Sequence, residues 1–203
     1  MQIGAADVDA AAARYATLLG VEPVAGRFQL ERGAVEIVRG DPGVRSIRFR
    51  GEPADGWPDD FHGVDVLRTA ASPPPPASGV AIDHVVVQTT DAARAIALWR
   101  DRLGLRLALD RVFPDRGLRL LFFRTGGITL EFATSEPPPA ETGPDRLHGV
   151  SYRVPDLEAR RACLVAAGFD VSPIRTGMRP GTSVATVRSE TAGVPTLLLQ
   201  VHG

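Results

Sequence analysis

The chain has 203 residues, of which 44% are hydrophobic and 23% charged, and its formal net charge at pH 7 is -1. This composition is ordinary for a globular protein, and the near-neutral charge gives no long-range attraction to nucleic acid or to an anionic membrane. The sequence shows neither a run of about 18 apolar residues nor a secretion signal, so we expect a cytoplasmic protein with a small-molecule partner.

The ionisable side chains exclude several kinds of site. All 23 basic residues are arginines, which excludes a Schiff-base lysine and a phosphate-binding loop that contains lysine. Cys163 is the only cysteine and lies in a predicted helix without a neighbouring histidine. We therefore expect an inert thiol, with neither a disulfide nor a cysteine-rich metal site.

The N-terminal segment, residues 1–70, predicts an incomplete unit. The stretch "DVDAAAARYATLLG" is typical of a helix that ends at Gly20, and "GRFQLERGAVEIVRG" predicts two strands. Two further runs, "GVRSIRFRG" and "HGVDVLRTA", resemble the first and last strands of another unit whose middle is deleted. The segment contains Glu36 but no matching histidine, so we interpret it as a degenerate partner that completes packing or dimerises.

Two proline-rich stretches separate the chain into three parts. They are "ASPPPPASG" at 71–79 and "SEPPPAETGPD" at 135–145. Proline lacks an amide donor and favours extended backbone, so both stretches predict semi-rigid surface connectors. We therefore expect the first of them to link segment 1–70 to a larger domain over residues 80–203.

That domain contains one pattern twice, in modules 80–134 and 146–203. Each module has a strand, a helix that begins at an aspartate and ends at a glycine, and three strand-like runs. The runs are "LRLALDRV", "LRLLFFR" and "ITLEFA" in the first module, and "FDVSPI", "SVATVR" and "TLLLQV" in the second. We therefore predict an α+β fold built from paired βαβββ modules.

Histidines mark both opening strands. His84 lies 20 residues before Gly104, and His148 lies 20 residues before Gly168. This equal spacing predicts that the two histidines occupy equivalent positions in their modules.

Side-chain alternation gives each module a polar pair on the sheet face that the helix does not use. Aligning "ITLEF" with "LLLQV" pairs His84 with Glu131, and His148 with Gln200. An unpartnered carboxylate among apolar residues costs free energy, so the position of Glu131 predicts a protein partner, a cation or water.

The repeat, the spacing and the alternation together resemble the vicinal oxygen chelate, or glyoxalase-like, superfamily. The resemblance covers residues 81–203 well and the N-terminal segment in fragments. In that superfamily, paired modules form a cup-shaped mixed sheet, and the opening and closing strands of each module point metal ligands inward.

The resemblance implies a bound divalent metal ion with ligands at His84, Glu131, His148 and Gln200. The last position more often carries glutamate in the superfamily. Imidazole and carboxylate ligands suit zinc, nickel, cobalt, manganese or iron.

The resemblance also implies a metal-dependent lyase or isomerase that acts on a small molecule chelating through adjacent oxygens. Glu131 is then the candidate catalytic base and Tyr152 a second candidate catalytic residue, with Tyr152 and Gln88 orienting the substrate. Arg175 and Arg179, in the loop "IRTGMRPGTS", are candidates for binding a substrate carboxylate or phosphate.

Two other functions stay open. A ring-cleaving dioxygenase would hold ferrous iron on His84, His148 and Glu131, and a metal-free protein of the antibiotic-sequestering kind would use the same cup without catalysis. The resemblance leaves a homodimer possible.

Overall fold

The computed structural model describes residues 1–50, 57–69 and 78–202. Its strands form two mixed sheets with few helices, which confirms the predicted α+β class. Within the described ranges, no helix is both long enough and apolar enough to cross a membrane. Of the linker predicted at 71–79, all but Ser78 and Gly79 lies outside the described residues.

The secondary structure follows the predicted order of elements. The N-terminal segment contains β1 (Gln2–Ala5), α1 (Val8–Leu19), β2 (Arg27–Gln29), β3 (Ala34–Arg39), β4 (Gly43–Arg50) and β5 (Val66–Thr69). The first module contains β6 (Ala81–Gln88), α2 (Ala92–Ile96) continued by a π-helix (Ala97–Arg102), β7 (Arg106–Phe113), a 3-10 turn (Pro114–Arg116), β8 (Leu118–Arg124) and β9 (Thr129–Ser135). The second contains β10 (Arg146–Arg153), α3 (Leu157–Ala166), β11 (Arg175–Thr176), β12 (Thr182–Val187) and β13 (Thr196–Val201).

One predicted strand, "FDVSPI" at 169–174, is reduced to an isolated bridge between Val171 and Val187. Pro173 has no amide to donate, so the ladder is interrupted there and resumes as the two-residue strand β11.

Each opening strand pairs in parallel with a closing strand. The four pairs are β1 with β3, β4 with β5, β6 with β9, and β10 with β13. The pairing of β4 with β5 is the relation expected for the first and last strands of a unit whose middle is missing.

Contacts divide the described residues into two compact units. Unit 1 comprises 1–45, 78–83 and 149–202, and unit 2 comprises 46–50, 57–69 and 84–148. The division into segment 1–70 and a two-module domain 80–203 stays a prediction.

The core of unit 1 contains both tyrosines of the chain. Tyr15 on α1 and Tyr152 on β10 are fully buried. The Tyr15 hydroxyl donates a hydrogen bond to the Thr191 carbonyl at 2.9 Å. Helix α1 ends at Gly20, whose φ of 64° places it in the left-handed conformation that glycine adopts most easily.

The core of unit 2 is centred on Trp99 in the π-helix. Its ring centroid lies 6.3 Å from that of Phe49, 5.6 Å from that of Phe61 and 5.5 Å from that of Phe132. These rings come from β4, from the segment before β5 and from β9. One aromatic cluster therefore packs β4 and the segment before β5 against the helix of the first module.

Candidate functional site

The structure brings His84 on β6 and Glu131 on β9 together in unit 2. His84 Nε2 lies 3.6 Å from Glu131 Oε2, and the two side chains are 17% and 18% exposed. In the parallel register His84 lies opposite Thr129, and Val86 lies opposite Glu131. The pair is therefore diagonal on one face of the sheet, where it is partly accessible.

The strand registers arrange this face in three rows across β7, β8, β9 and β6, because paired residues of neighbouring strands point to the same side. The rows are Arg106, Arg124, Thr129 and His84; Leu109, Phe122, Glu131 and Val86; and Arg111, Leu120, Ala133 and Gln88. We call these twelve residues the His84 face. Glu131 lies between the aromatic ring of Phe122 and the isopropyl group of Val86.

Positive charge predominates on the His84 face. It carries Arg106, Arg111 and Arg124 but a single carboxylate, Glu131. Arg124 Nη1 donates a hydrogen bond to Thr129 Oγ1 at 2.7 Å. Within the described residues, none of the three arginines forms an ion pair.

The helix N-caps align three copies of the repeat. Each cap is an aspartate whose side chain accepts a hydrogen bond from the amide three residues later. The residue five positions before the cap pairs with the closing strand as Gln2 with Glu36, Val86 with Glu131, and Ser151 with Leu197. Glu36 and Leu197 therefore occupy the position of Glu131 in their own copies. By the same alignment, Gly149 occupies the position of His84.

A shorter helix in the second module explains why the histidine spacing pointed to His148. The first-module histidine precedes its N-cap by seven residues, whereas His148 precedes Asp156 by eight. Asp91 precedes Gly104 by 13 residues, as Asp7 precedes Gly20, whereas Asp156 precedes Gly168 by 12. Because a shift of one residue moves a strand side chain to the other face, His148 and Tyr152 lie opposite Gly149.

The predicted second-module site residues have other surroundings. His148 is exposed. Tyr152 is fully buried, and the Tyr152 hydroxyl has no hydrogen-bond partner among the described residues. Burial, with the neighbouring Tyr15, raises the pKa of the Tyr152 hydroxyl well above its ordinary value. Gln200 Oε1 accepts a hydrogen bond from the Leu157 amide at 2.9 Å, at the start of α3. His148 therefore lies at the surface, and Tyr152 and Gln200 lie on the helix side of the sheet. The site proposed below does not include these three residues.

The predicted substrate-binding residues also differ in surroundings. Gln88 is exposed in the third row of the His84 face. Arg175 is exposed on β11, and Arg179 is exposed in the turn before β12. Gln88 is therefore the one of the three that lies on the same face as the His84–Glu131 pair.

Sequence analysis missed Arg106 and Arg124, which share the row of His84. The loop 125–128 joins two well-predicted strands, and counting back across this loop would have placed Arg124 opposite Thr129. Arg106 gives no such signal, because a bulge between Leu107 and Leu109 shifts the register of β7.

The donor atoms do not fit the four-ligand metal centre that the resemblance implies. Among the described residues, no three His, Cys, Asp or Glu side chains lie close enough to hold an ion. At the equivalent positions of the second module, Gly149 and Leu197 have no side-chain donor. His84 and Glu131 thus supply two ligands, whereas zinc and iron centres use three or four protein ligands.

Solved structures with a similar fold are known. Methylmalonyl-CoA epimerase from Mycobacterium tuberculosis is 21% identical, with a TM-score of 0.50 over 60% of this chain and 88% of that chain. A hypothetical protein from Bacillus halodurans C-125 is 20% identical, with a TM-score of 0.50 over 61% of this chain and 96% of that chain. At such identities the likeness shows the fold alone.

Sequence comparison gives the family. No curated protein matches the chain. A model of one superfamily matches residues 83–186, just over half of the chain. The chain therefore belongs to the Glyoxalase/Bleomycin resistance protein/Dioxygenase superfamily.

Proposed function

We propose that the chain is a small-molecule isomerase or lyase in which His84 and Glu131 transfer protons. The observation that carries this proposal is their 3.6 Å separation on a partly accessible sheet face. Carboxylate and imidazole groups are common general bases and acids near neutral pH. The pair therefore suits substrates that have a hydrogen on the carbon next to a carbonyl group.

The proposed step balances without a further reactant. The Glu131 carboxylate removes the proton from the carbon, the electron pair forms the carbon–carbon double bond of an enol, and protonated His84 donates to the carbonyl oxygen. His84 then takes back the hydroxyl proton as the carbonyl re-forms. A proton returned to the carbon by Glu131 regenerates the substrate, whereas a proton added by water on the opposite face, with Glu131 releasing its own proton to water, gives the isomer. Phe122 and Val86, which flank Glu131 in its row, reduce the hydration of the carboxylate and so favour proton abstraction.

Metal binding is an alternative use of the same pair, because an imidazole nitrogen that ligates an ion cannot also hold the proton that it donates. Its protein ligands are limited to His84 and Glu131. Calorimetric titration of the native protein with zinc or nickel tests it. We expect His84→Ala and Glu131→Gln each to abolish the binding of any ion that the native protein retains. Unchanged affinity in both variants would place the ion elsewhere.

Hydrogen exchange at carbon tests the proton-transfer step directly. The protein is incubated in deuterium oxide with a panel of carbonyl acids and thioesters, including methylmalonyl-CoA, and proton NMR follows the loss of the signal of the hydrogen next to the carbonyl. We expect Glu131→Gln to slow the enzyme-dependent exchange by about 100-fold or more. The exposed Glu158→Gln variant serves as the matched control and should exchange at the native rate.

A second candidate function is small-molecule binding without catalysis. The incomplete metal donor set among the described residues favours it. Tight binding of a panel compound without enzyme-dependent exchange at any carbon would support this function against the first. A ring-cleaving dioxygenase agrees with the family description but fits this geometry less well, because its ligand set requires His148, whose side chain lies on the face of β10 opposite to Gly149.

A further inference from the structure

We propose that Arg124, assisted by Arg106, forms an anion site that holds a carboxylate or phosphate group of the substrate beside the His84–Glu131 pair. The inference deepens the proposed function and rests on it for the role of that pair. It adds that the substrate carries a negative charge, which the His84–Glu131 pair alone does not indicate.

The sheet register carries the first part of the argument. Arg106, Arg124, Thr129 and His84 lie opposite one another in a single row across four adjacent strands. Arg124 Nη1 donates to Thr129 Oγ1 at 2.7 Å, and Thr129 is 5% exposed. The guanidinium is thus anchored on the same face as His84. Of its five N–H donors, one is used by this hydrogen bond.

The charges of the same hairpin carry the second part. Like charges directly opposite each other in an antiparallel pair are destabilising, yet Arg106 and Arg124 are direct cross-strand partners. On the other face of these strands, Arg119 is neutralised by Asp110 through two hydrogen bonds of 2.9 and 2.8 Å. On the His84 face, by contrast, none of the arginines of this hairpin forms an ion pair with a carboxylate of the described residues. An anionic ligand would stabilise this arrangement of positive charges.

Binding of simple anions tests the proposal without requiring the true substrate. Inorganic phosphate and malonate are titrated separately into the full chain, and the arginine side-chain N–H resonances are followed by NMR. The tighter of the two identifies phosphate or carboxylate as the preferred group. We expect dissociation constants in the millimolar range, as is ordinary for a small anion bound by arginines that are exposed to solvent.

Variants locate the anion. Arg124→Gln should weaken binding by about tenfold or more, because a charge-assisted hydrogen bond is lost. Arg124→Lys should retain part of the affinity, because lysine keeps the positive charge but lacks the planar guanidinium group. Arg119→Gln, on the same strand but facing the other side, is the matched control and should bind like the native protein. Glu131→Gln should strengthen binding about two- to fivefold, because it removes a nearby negative charge.

The outcomes separate this inference from the proposed function. It is overturned if neither anion binds at about 50 mM, if Arg119→Gln weakens binding as much as Arg124→Gln, or if Glu131→Gln has no effect on affinity. Anion binding that follows the variants, without hydrogen exchange at carbon, leaves the anion site standing and overturns the catalytic role. Circular dichroism and urea unfolding verify that each variant is folded.

Discussion

At the scale of single residues, Asp145 is a fully buried carboxylate outside the proposed site. Arg94 Nη2 donates to Asp145 Oδ1 at 2.7 Å and to the Gly143 carbonyl at 2.7 Å. The Asp145 side chain is 0% exposed, and its second oxygen has no hydrogen-bond partner among the described residues. One arginine from the first-module helix therefore both neutralises this charge and fixes the loop before β10.

Removing that arginine should be strongly destabilising. Arg94→Ala leaves the Asp145 carboxylate buried without its cation, and we expect a loss of about 3 kcal/mol in the free energy of unfolding. Arg188→Ala removes an exposed ion pair with Asp170 and should cost less than about 1 kcal/mol. Urea unfolding measures both, and equal losses would contradict the distinction.

The role of Gln200 as a helix cap leads to a second prediction. Gln200→Glu keeps an acceptor for the Leu157 amide and adds negative charge at the start of α3, so stability should be maintained. Gln200→Ala removes the acceptor and should cost about 1 kcal/mol, as for other lost caps. Gln88→Ala is the control, because it removes the side-chain amide of an exposed glutamine. If Gln200→Glu instead tightens zinc binding in calorimetry, Gln200 is a metal ligand.

At the scale of elements, local signals were sufficient for most of the fold. Aspartate caps, terminal glycines and period-two alternation predicted α1, α3, β8 and β13 closely, because each signal acts within a few residues. The π-helix after α2 and the bulge in β7 were not predictable. Both depend on packing between segments that are distant in the chain, so the sequence around each of them contains no pattern that predicts it.

The same distinction explains what was predictable in the site. Alternation identified His84 and Glu131 because both lie in regular strands of one module. The second-module residues His148 and Gln200 required an alignment of the modules, and the shorter second-module helix misaligned the histidines.

The Trp99 cluster gives a prediction for the element that contains it. Trp99→Ala should lower the free energy of unfolding by about 4 kcal/mol, because it empties the centre of an aromatic core. Trp57→Ala removes a ring that is only partly buried and should cost clearly less. Urea unfolding followed by circular dichroism compares the two, and an equal cost would show that Trp99 is not the centre of the cluster.

At the scale of the whole molecule, the two tyrosines report on alkaline stability. Burial raises the pKa of both Tyr15 and Tyr152 above the ordinary value. Because the folded state favours the neutral hydroxyls, ionisation of the tyrosines opposes folding. Stability is therefore unaffected by these groups below the pKa of the unfolded chain, near 10, and decreases as the pH rises above that value.

We therefore expect no tyrosinate in the folded protein as the pH passes about 10. Because the chain has only two tyrosines, tyrosinate absorbance should appear together with the loss of circular dichroism. The urea-unfolded protein, as reference, should ionise near its ordinary pKa. Gradual ionisation while the dichroism stays native would show that at least one hydroxyl is accessible to solvent.

The four parallel strand pairs have a consequence for how this chain can diversify. In a symmetric assembly of identical subunits, every substitution appears in all copies at once. Here the copies are parts of one polypeptide, so a substitution affects a single copy and leaves the hydrogen-bonded strands of the others intact. Gly149 and Leu197, at the places that His84 and Glu131 occupy in the first module, are differences of this kind that are confined to one copy.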